Sequence, residues 1–252
     1  MGIKNVVKQL IPGSIKRTVK DLIGITALND RISVLTERII RIEDTHSAQD
    51  TRERSKKRWR ESEPERGLTW GKLISGNNFL KKAQSYINFD KEKKILEIGP
   101  GYGRLLKSCL EMKIPFRKYV GLDISQKNVD FLKSTFQDES MEFIKGDVEN
   151  VVFSESFDIL YSSLTFKHFF PSFENALRNI IKYMNPGGII LFDLIEGDKQ
   201  IFEGDLVTYV HSYTREEVTE ILRKLSLDLV SFDQVKHAPG FLRLFVVVKN
   251  PF

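Results

Sequence analysis

The chain has 252 residues, 41% of them apolar, and a formal net charge of +5, so it can bury a hydrophobic core of its own. It contains no run of about 18 apolar residues, which argues against a membrane-spanning helix. Its single cysteine, Cys109, excludes an intramolecular disulfide, and its first residues lack the apolar block of a secretory signal. These features predict a cytoplasmic protein.

The positive charge is concentrated near the N-terminus. Residues 1–66 contain 15 of the 39 Lys and Arg residues and 10 of the 34 Asp and Glu residues, which leaves 24 of each kind for residues 67–252. The composition also changes after Pro64. We therefore expect an N-terminal arm over residues 1–66 and a globular domain over residues 67–252. The balanced charge of the domain argues against binding of nucleic acid.

The arm begins with a predicted basic helix. Over residues 1–23, apolar residues recur at helical spacing beside five Lys and Arg residues and one acidic residue, with a break at Pro12-Gly13. Helices of this kind bind anionic membranes or a partner surface. Packing against the chain's own surface is the alternative. The first interpretation predicts a peripheral contact with the inner face of a membrane.

A seam of apolar residues follows, at alternating steps of three and four: Ile25, Leu28, Ile32, Leu35, Ile39 and Ile42. This spacing is typical of a coiled coil and predicts a parallel homodimer through residues 25–46. A single helix docked on the domain is the alternative, because the seam is short. The highly charged residues 45–66 lose the seam, and we expect them to form a solvated helix end or a linker.

The domain begins with a predicted helix from about Asn77 to Tyr86, capped by an asparagine and with Phe79 toward the core. From residue 93 onward, strand and helix patterns alternate. The predicted strands are KKILEIG, KYVGLDI, MEFIKGD, FDILYSS, GGIILFDLI, LDLVSFDQV and LRLFVVVKN. The predicted helices are RLLKSCLEM, SQKNVDFLKSTF with Ser125 as its cap, SFENALRNIIKYM and TREEVTEILRKL. This alternation predicts an α/β fold with a parallel sheet covered on both faces.

Three glycines lie in the first strand-to-helix turn, LEIGPGYGR, at positions 99, 101 and 103. In an open α/β sheet, ligands bind beyond the carboxyl ends of the strands, where this turn lies. The spacing is one residue shorter than that of the dinucleotide-binding G-x-G-x-x-G turn. Glu97 precedes it at the strand tip, and a carboxylate there repels a pyrophosphate but attracts an ammonium or sulfonium group. The turn therefore favours a cationic ligand.

Five segments in order, LEIGPGYGR, VGLDIS, IKGDVEN, FDILYSS and NPGGIILFDL, resemble the motifs of the class I S-adenosylmethionine-dependent methyltransferases. The resemblance covers roughly residues 90–250. It implies a Rossmann-like, seven-stranded, mostly parallel sheet and S-adenosylmethionine as cofactor. By the same resemblance, the methionine part of the cofactor is held by Glu97, Gly99, Gly101 and Gly103, with Ser162 near its ammonium group.

The resemblance also implies that Asp123 binds both ribose hydroxyls and that Asp147 and Val148 contact the adenine. A carboxylate that accepts two hydroxyl donors suits a diol. Asp123 as a mere helix cap is the weaker alternative, because Ser125 fits that role. Asp147 follows Gly146 at a strand end, where carboxylates in turns are common, so a purely structural role remains open there.

Candidate bases for the acceptor are His168 after the fourth strand, Asp193 and Glu196 at the end of the fifth, and His211 and His237 further along. A hydroxyl acceptor needs its proton removed, whereas an amine acceptor needs to be neutral. A satisfied or exposed side chain is the ordinary alternative for each histidine. We take His168, His211 and Asp193 as the main candidates. No spacing of His and carboxylate residues resembles a metal triad.

The acceptor is predicted from a weaker likeness. The segment RGLTWGKLISGNNF is similar to methyltransferases of bacterial surface-polysaccharide pathways, which favours O-methylation of a sugar hydroxyl in a glycan. Trp59, Trp70 and Phe79 would suit stacking on a sugar face. N-methylation of a small molecule or amino sugar is the alternative. A noncatalytic scaffold built on the coiled coil is an alternative of another class.

Overall fold

A computed structural model describes residues 31, 32, 35, 49–64, 74–203, 205 and 207–252. The chain forms two compact units, Met1–Thr51 and Arg52–Phe252. In the first unit the described residues 31, 32 and 35 are helical, and Ile32 and Leu35 are about half exposed. The basic helix and nearly all of the predicted seam lie outside the described residues, so the membrane contact and the homodimer stay predictions.

The second unit begins 15 residues before the domain boundary that the sequence predicts. Residues 49–60 are helical, and we call this segment α1; from Arg52 onward it belongs to the second unit. Five further helices are α2 (Asn77–Ala83), α3 (Arg104–Glu111), α4 (Gln126–Thr135), α5 (Glu174–Ile180) and α6 (Arg215–Lys224). Among the described residues, no helix is both long and apolar enough to cross a bilayer.

Nine strands are described, and they belong to one sheet. They are β1 (Lys94–Ile98), β2 (Lys118–Asp123), β3 (Met141–Lys145), β4 (Phe157–Ser162), β5 (Met184–Glu196), β6 (Gln200–Phe202), β7 (Tyr209–Tyr213), β8 (Asp228–Ala238) and β9 (Phe241–Lys249). Strands β3, β2, β1, β4 and β5 run parallel in that order. Strand β9 pairs antiparallel with β5, and β8 pairs antiparallel with β9.

These seven strands confirm the predicted Rossmann-like fold. The sequence did not predict β6 and β7, a short antiparallel hairpin that extends the sheet where β5 ends, with Glu196 opposite Tyr213. Strand β6 has only three residues, and none of them is buried. It is therefore too short to show the alternation of apolar and polar residues by which a strand is recognised in a sequence.

The core lies on both faces of the sheet. One cluster joins residues of α5 and α6 to the strands, and the other joins residues of α2, α3 and α4 to the opposite face. Adjacent residues of β1 divide between them, with Ile95 in one cluster and Leu96 in the other, as strand geometry requires. Phe79 is fully buried in this core, so its predicted stacking on a sugar is wrong.

Two helix caps were predicted. Ser125 is the N-cap of α4, and its hydroxyl accepts a hydrogen bond from the Asn128 amide, which confirms the prediction. The asparagine cap of α2 is wrong, because the N-cap is Gly76 and the Asn77 amide donates instead to the Ser75 hydroxyl at 3.0 Å.

Candidate active site

A cavity of about 600 Å³ opens at the carboxyl ends of the parallel strands. Its walls come from the segments after β1, β2, β3 and β4, from α1 and from the start of β9. Of the residues predicted to hold the cofactor, Glu97, Gly99, Gly101, Asp123, Asp147 and Val148 line it, whereas Gly103 and Ser162 do not.

The three glycines of the first turn all have positive φ, at 69°, 58° and 83° for Gly99, Gly101 and Gly103. A Cβ on Gly99 would lie 2.5 Å from the Thr165 hydroxyl oxygen, and one on Gly103 would lie 2.5 Å from the Phe136 ring. A Cβ on Gly101 would meet nothing within 4 Å. Packing therefore requires glycine at two positions, and only Gly101 presents bare backbone to open cavity.

Glu97 is buried at the tip of β1 and lines the cavity. The Tyr119 hydroxyl donates a hydrogen bond to its carboxylate. Burial raises the pKa of Glu97 to about 7, although the Tyr119 hydrogen bond and the charge of Arg104 act in the opposite direction. A buried carboxylate of this kind is stabilised in its charged form by a cationic partner. The site therefore fits the ammonium group of an amino acid.

Asp123 ends β2 and is buried. Its carboxylate accepts hydrogen bonds from the backbone amides of Gly101 at 3.0 Å and Ser125 at 2.9 Å, and from the Asn128 side chain at 3.2 Å. These bonds tie the carboxylate to the glycine turn and to the start of α4. Two carboxylate oxygens offer about four acceptor positions, so the geometry leaves capacity for a ligand hydroxyl.

Asp147 and Val148 follow β3. The Asp147 carboxylate accepts a hydrogen bond from the Glu149 amide at 3.1 Å and forms an ion pair with Lys56 at 2.6 Å. Val148 is buried and also packs in the core. Val148 thus offers an apolar contact to the cavity, whereas the Asp147 carboxylate already has a cationic partner.

Ser162 and Ser163 point in opposite directions at the end of β4. The Ser162 hydroxyl donates to the Ile98 carbonyl at 2.9 Å, and Ser162 does not line the cavity. Ser163 lines the cavity and accepts a hydrogen bond from Arg104 at 2.6 Å. The sequence motif points to this strand end, but the structure places the neighbouring hydroxyl at the cavity.

Comparisons with known proteins agree with this geometry. The profile of a family described as "Methyltransferase domain" matches residues 96–192, from β1 into β5. This range contains four of the five segments that resemble the class I S-adenosylmethionine-dependent methyltransferases. S-adenosylmethionine is the methyl donor of that family. The glycine turn open at Gly101 and the buried carboxylate of Glu97 fit that molecule.

Two relatives compared individually with this chain are 29% and 25% identical to it. The phthiotriol/phenolphthiotriol dimycocerosates methyltransferase of Mycobacterium tuberculosis (strain H37Ra) is 29% identical over 162 residues, 60% of this chain and 58% of that protein. The fatty-acid O-methyltransferase of Mycolicibacterium smegmatis is 25% identical over 167 residues, 63% of this chain and 60% of that protein. The matches thus span under two thirds of these relatives.

Among solved structures, the fold is similar to a chain of the complex between the Haloferax volcanii Trm112 methyltransferase activator and a methyltransferase. The TM-score is 0.65 at 16% identity, and the superposition covers 75% of this chain and 94% of that one. At this identity the likeness shows the fold alone.

Of the three main candidate bases, His168 lines the cavity. Its Nδ1 lies 2.7 Å from the Tyr209 carbonyl oxygen, so in the neutral ring Nδ1 carries the proton. Nε2 makes no hydrogen bond within the described part of the chain. The Trp59 ring lies 4.3 Å from the imidazole, centroid to centroid. Burial, followed by the charge of Lys167, lowers the pKa of His168 to about 3.

Asp193 does not line the cavity. It is buried behind the wall, where it accepts hydrogen bonds from Ser163, from the Leu164 amide at 2.8 Å and from His237 Nε2 at 2.9 Å. Burial raises its pKa, but the hydrogen bonds, that from His237 first, outweigh burial and hold it below the usual value. Asp193 therefore fixes the ends of β4 and β8 and is poorly placed to act as a base.

His211 does not line the cavity either. It is buried in β7 with Nδ1 3.0 Å from the Pro171 carbonyl oxygen and Nε2 3.1 Å from the Glu217 carboxylate. Its ring stacks on Tyr213 at 3.7 Å. With both nitrogens engaged and no access to the cavity, His211 is poorly placed for proton transfer. Glu196 forms an ion pair with Arg215 at 2.7 Å.

Helix α1 is the part of the site that sequence reasoning missed. The segment expected to be a solvated helix end or a linker instead lines the cavity, through Arg52, Ser55, Lys56, Arg58 and Trp59 of α1 and through Ser62 just beyond it. The Ser62 carbonyl accepts a hydrogen bond from Ser125 at 2.7 Å. Five of these six residues are polar or charged, so no apolar periodicity marked them in the sequence. In the described part of the chain, no cluster of three or more potential metal ligands occurs.

Proposed function

We propose that this methyltransferase methylates a hydroxyl oxygen of its acceptor, with His168 receiving the proton. The observation that carries the proposal is the fixed tautomer of His168 at the cavity wall. Its Nδ1 is held as a donor by the Tyr209 carbonyl, which leaves the lone pair of Nε2 for a proton from the acceptor. Of the three main candidate bases, it alone reaches the cavity.

When bound, S-adenosylmethionine supplies an electrophilic methyl group on a sulfonium. The pKa of about 3 keeps His168 neutral at physiological pH. An imidazole with this pKa is a weak base, but a hydroxyl oxygen becomes strongly acidic as it gains a methyl group, so proton transfer to Nε2 is downhill at that stage. The Trp59 ring of α1 packs against the His168 imidazole and limits the access of water to it.

The proposed acceptor is amphiphilic, with a hydroxyl on an acyl or lipid chain. We assign to the acceptor the part of the cavity around His168, and call it the acceptor half. Phe169, Phe170, Val210 and Phe241 give this half an apolar wall. The two mycobacterial relatives carry names that point to a long-chain lipid and to fatty acids. Apolar surface of this kind favours burial of a chain by about 25 cal/mol per Å².

A sugar hydroxyl in a glycan, the acceptor expected from the sequence, is the second candidate. The Trp59 ring lines the cavity, as a sugar-stacking residue would, although it already packs on His168. Neither relative named above is described as acting on a glycan.

The experiment is methyl transfer from S-adenosylmethionine labelled in the methyl group. The panel contains a hydroxylated fatty acid, the matching fatty acid without the hydroxyl, a lipid-linked oligosaccharide and an amino sugar. We expect labelled product from the hydroxylated lipid, with label that resists mild alkali because an ether does not hydrolyse. Release of labelled methanol by alkali would show a methyl ester, and label on the amino sugar would show N-methylation; either result contradicts the proposal.

A further inference from the structure

Two cationic side chains line the acceptor half of the cavity. Lys167 lies in the short helical turn Phe166–His168 that follows β4. Arg243 lies near the start of β9, which runs antiparallel to β5 and pairs Leu244 with Leu194 at the strand end. The topology therefore brings the two cations to the same edge of the sheet from distant parts of the sequence.

Neither cation has an acidic partner within 4.0 Å among the residues that the structure describes. Arg243 donates from Nη1 to the Leu242 carbonyl at 2.7 Å, and its guanidinium carbon lies 3.8 Å from the centroid of the Phe241 ring. Its Nε is buried and has no hydrogen-bond partner among the described residues. Lys167 makes no side-chain hydrogen bond within the same described part. A buried donor without a partner costs free energy.

The surrounding charges leave this pair incompletely neutralised. Burial, followed by the charge of Arg243, lowers the pKa of Lys167 to about 8, while Asp193 and Glu203 act in the opposite direction. Asp193 is already bonded to His237 and Ser163. Glu203 is exposed to solvent, which weakens its effect. Two cations thus stand against the single buried carboxylate of Asp193, which leaves a net charge of about +1 beside the cavity.

We propose that Lys167 and Arg243 bind a carboxylate of the methyl acceptor. A carboxylate carries one negative charge, which matches the charge that the site leaves unpaired better than a phosphate dianion does. Arginine binds carboxylates through the planar donors of its guanidinium group. The proposal rests on the proposed function only in assigning this half of the cavity to the acceptor.

The carboxylate of the cofactor's own methionine part is the competing occupant. Arg104 is better placed for that group, because its charge acts on Glu97 and its Nη2 lies 2.6 Å from Ser163 at the cofactor side. Lys167 and Arg243 are then left for the acceptor. The two assignments predict different effects on cofactor binding when Lys167 or Arg243 is replaced.

The test measures binding by calorimetry to the full chain saturated with S-adenosylhomocysteine, with octanoate, octan-1-ol and octyl phosphate as probes. We expect octanoate to bind at least tenfold more tightly than octan-1-ol. Lys167→Met and Arg243→Met should each weaken octanoate binding about tenfold and leave octan-1-ol unaffected. Lys107→Met is the matched control, because Lys107 is 72% exposed on α3.

Equal affinities of the native chain for octanoate and octan-1-ol would overturn the proposal, as would unchanged octanoate affinity in both variants. Octyl phosphate binding more tightly than octanoate would assign the pair to a phosphate instead. Weakened binding of S-adenosylhomocysteine by the two variants would assign it to the cofactor. Because these measurements need no turnover, their failure is distinct from a failure of the proposed hydroxyl methylation.

Discussion

Lys56 Nζ lies 2.6 Å from the Asp147 carboxylate and also pairs with Glu149, so α1 is held across the end of β3. All three side chains are largely buried, with exposed fractions of 13%, 20% and 8%. The charged segment before the domain is thus part of the cavity wall, and its attachment can be tested directly.

We expect Lys56→Met to loosen α1. The substitution removes the cation shared by two largely buried carboxylates and should lower the free energy of unfolding by about 1–3 kcal/mol. Hydrogen exchange of the amides in residues 52–62 should become faster, as measured by mass spectrometry. Lys57→Met is the control, since Lys57 is 72% exposed and its nearest carboxylate is 3.9 Å away. Equal exchange rates in the two variants would show that the ion pairs do not hold the helix.

The glycine turn predicts different outcomes at neighbouring positions. Both Gly101→Ala and Gly103→Ala force an alanine into positive φ, at a cost of about 1–2 kcal/mol. Gly103→Ala adds a clash with the Phe136 ring, whereas the Cβ of Gly101→Ala enters open cavity. We expect the larger fall in Tm for Gly103→Ala and the larger loss of cofactor affinity for Gly101→Ala. The same ranking of the two variants in both measurements would contradict this division of roles.

Cofactor affinity should depend on pH through Glu97. Its folded-state pKa of about 7 is raised from 4.5, so in the free protein its stabilising contribution is present below pH 4.5 and is lost as the pH rises through about 7. A ligand ammonium binds the ionised form. Affinity for S-adenosylhomocysteine should therefore rise roughly eightfold from pH 6 to pH 7.5. Glu97→Gln should bind more weakly and lose this dependence. A slope that survives in Glu97→Gln would assign the titration to another group.

His168→Asn separates proton transfer from packing. The asparagine amide can replace Nδ1 as donor to the Tyr209 carbonyl, but it offers nothing in place of Nε2. We expect turnover to fall by about 10² or more with little change in cofactor affinity. Because the pKa of His168 is about 3, its protonation should contribute no limb to the pH–rate profile between pH 5 and 8. Normal turnover in His168→Asn would exclude it as the proton acceptor.

Local patterns in the sequence were sufficient to predict seven of the nine described strands of the sheet. The apolar strands and the glycine turn depend on near neighbours, and the structure places Glu97 and Asp123 at adjacent strand tips, 3.0 Å from Gly101 in the case of Asp123. The roles of the candidate bases could not be predicted, because contacts between distant positions keep Asp193 and His211 away from the cavity that His168 lines. Asp193 meets His237 across 44 positions of sequence, and His211 meets Pro171 across 40.

Calorimetric titration with S-adenosylhomocysteine tests the central claim most directly, namely that the cavity at the ends of β1 and β2 holds the methyl donor. We expect one site per chain, and Asp123→Asn should weaken binding about 30- to 150-fold, because a buried charged acceptor is lost. Asp130→Asn, at an exposed position of α4, should bind as the native chain does. Absence of binding by the folded native chain, or equal binding by Asp123→Asn, would contradict the account.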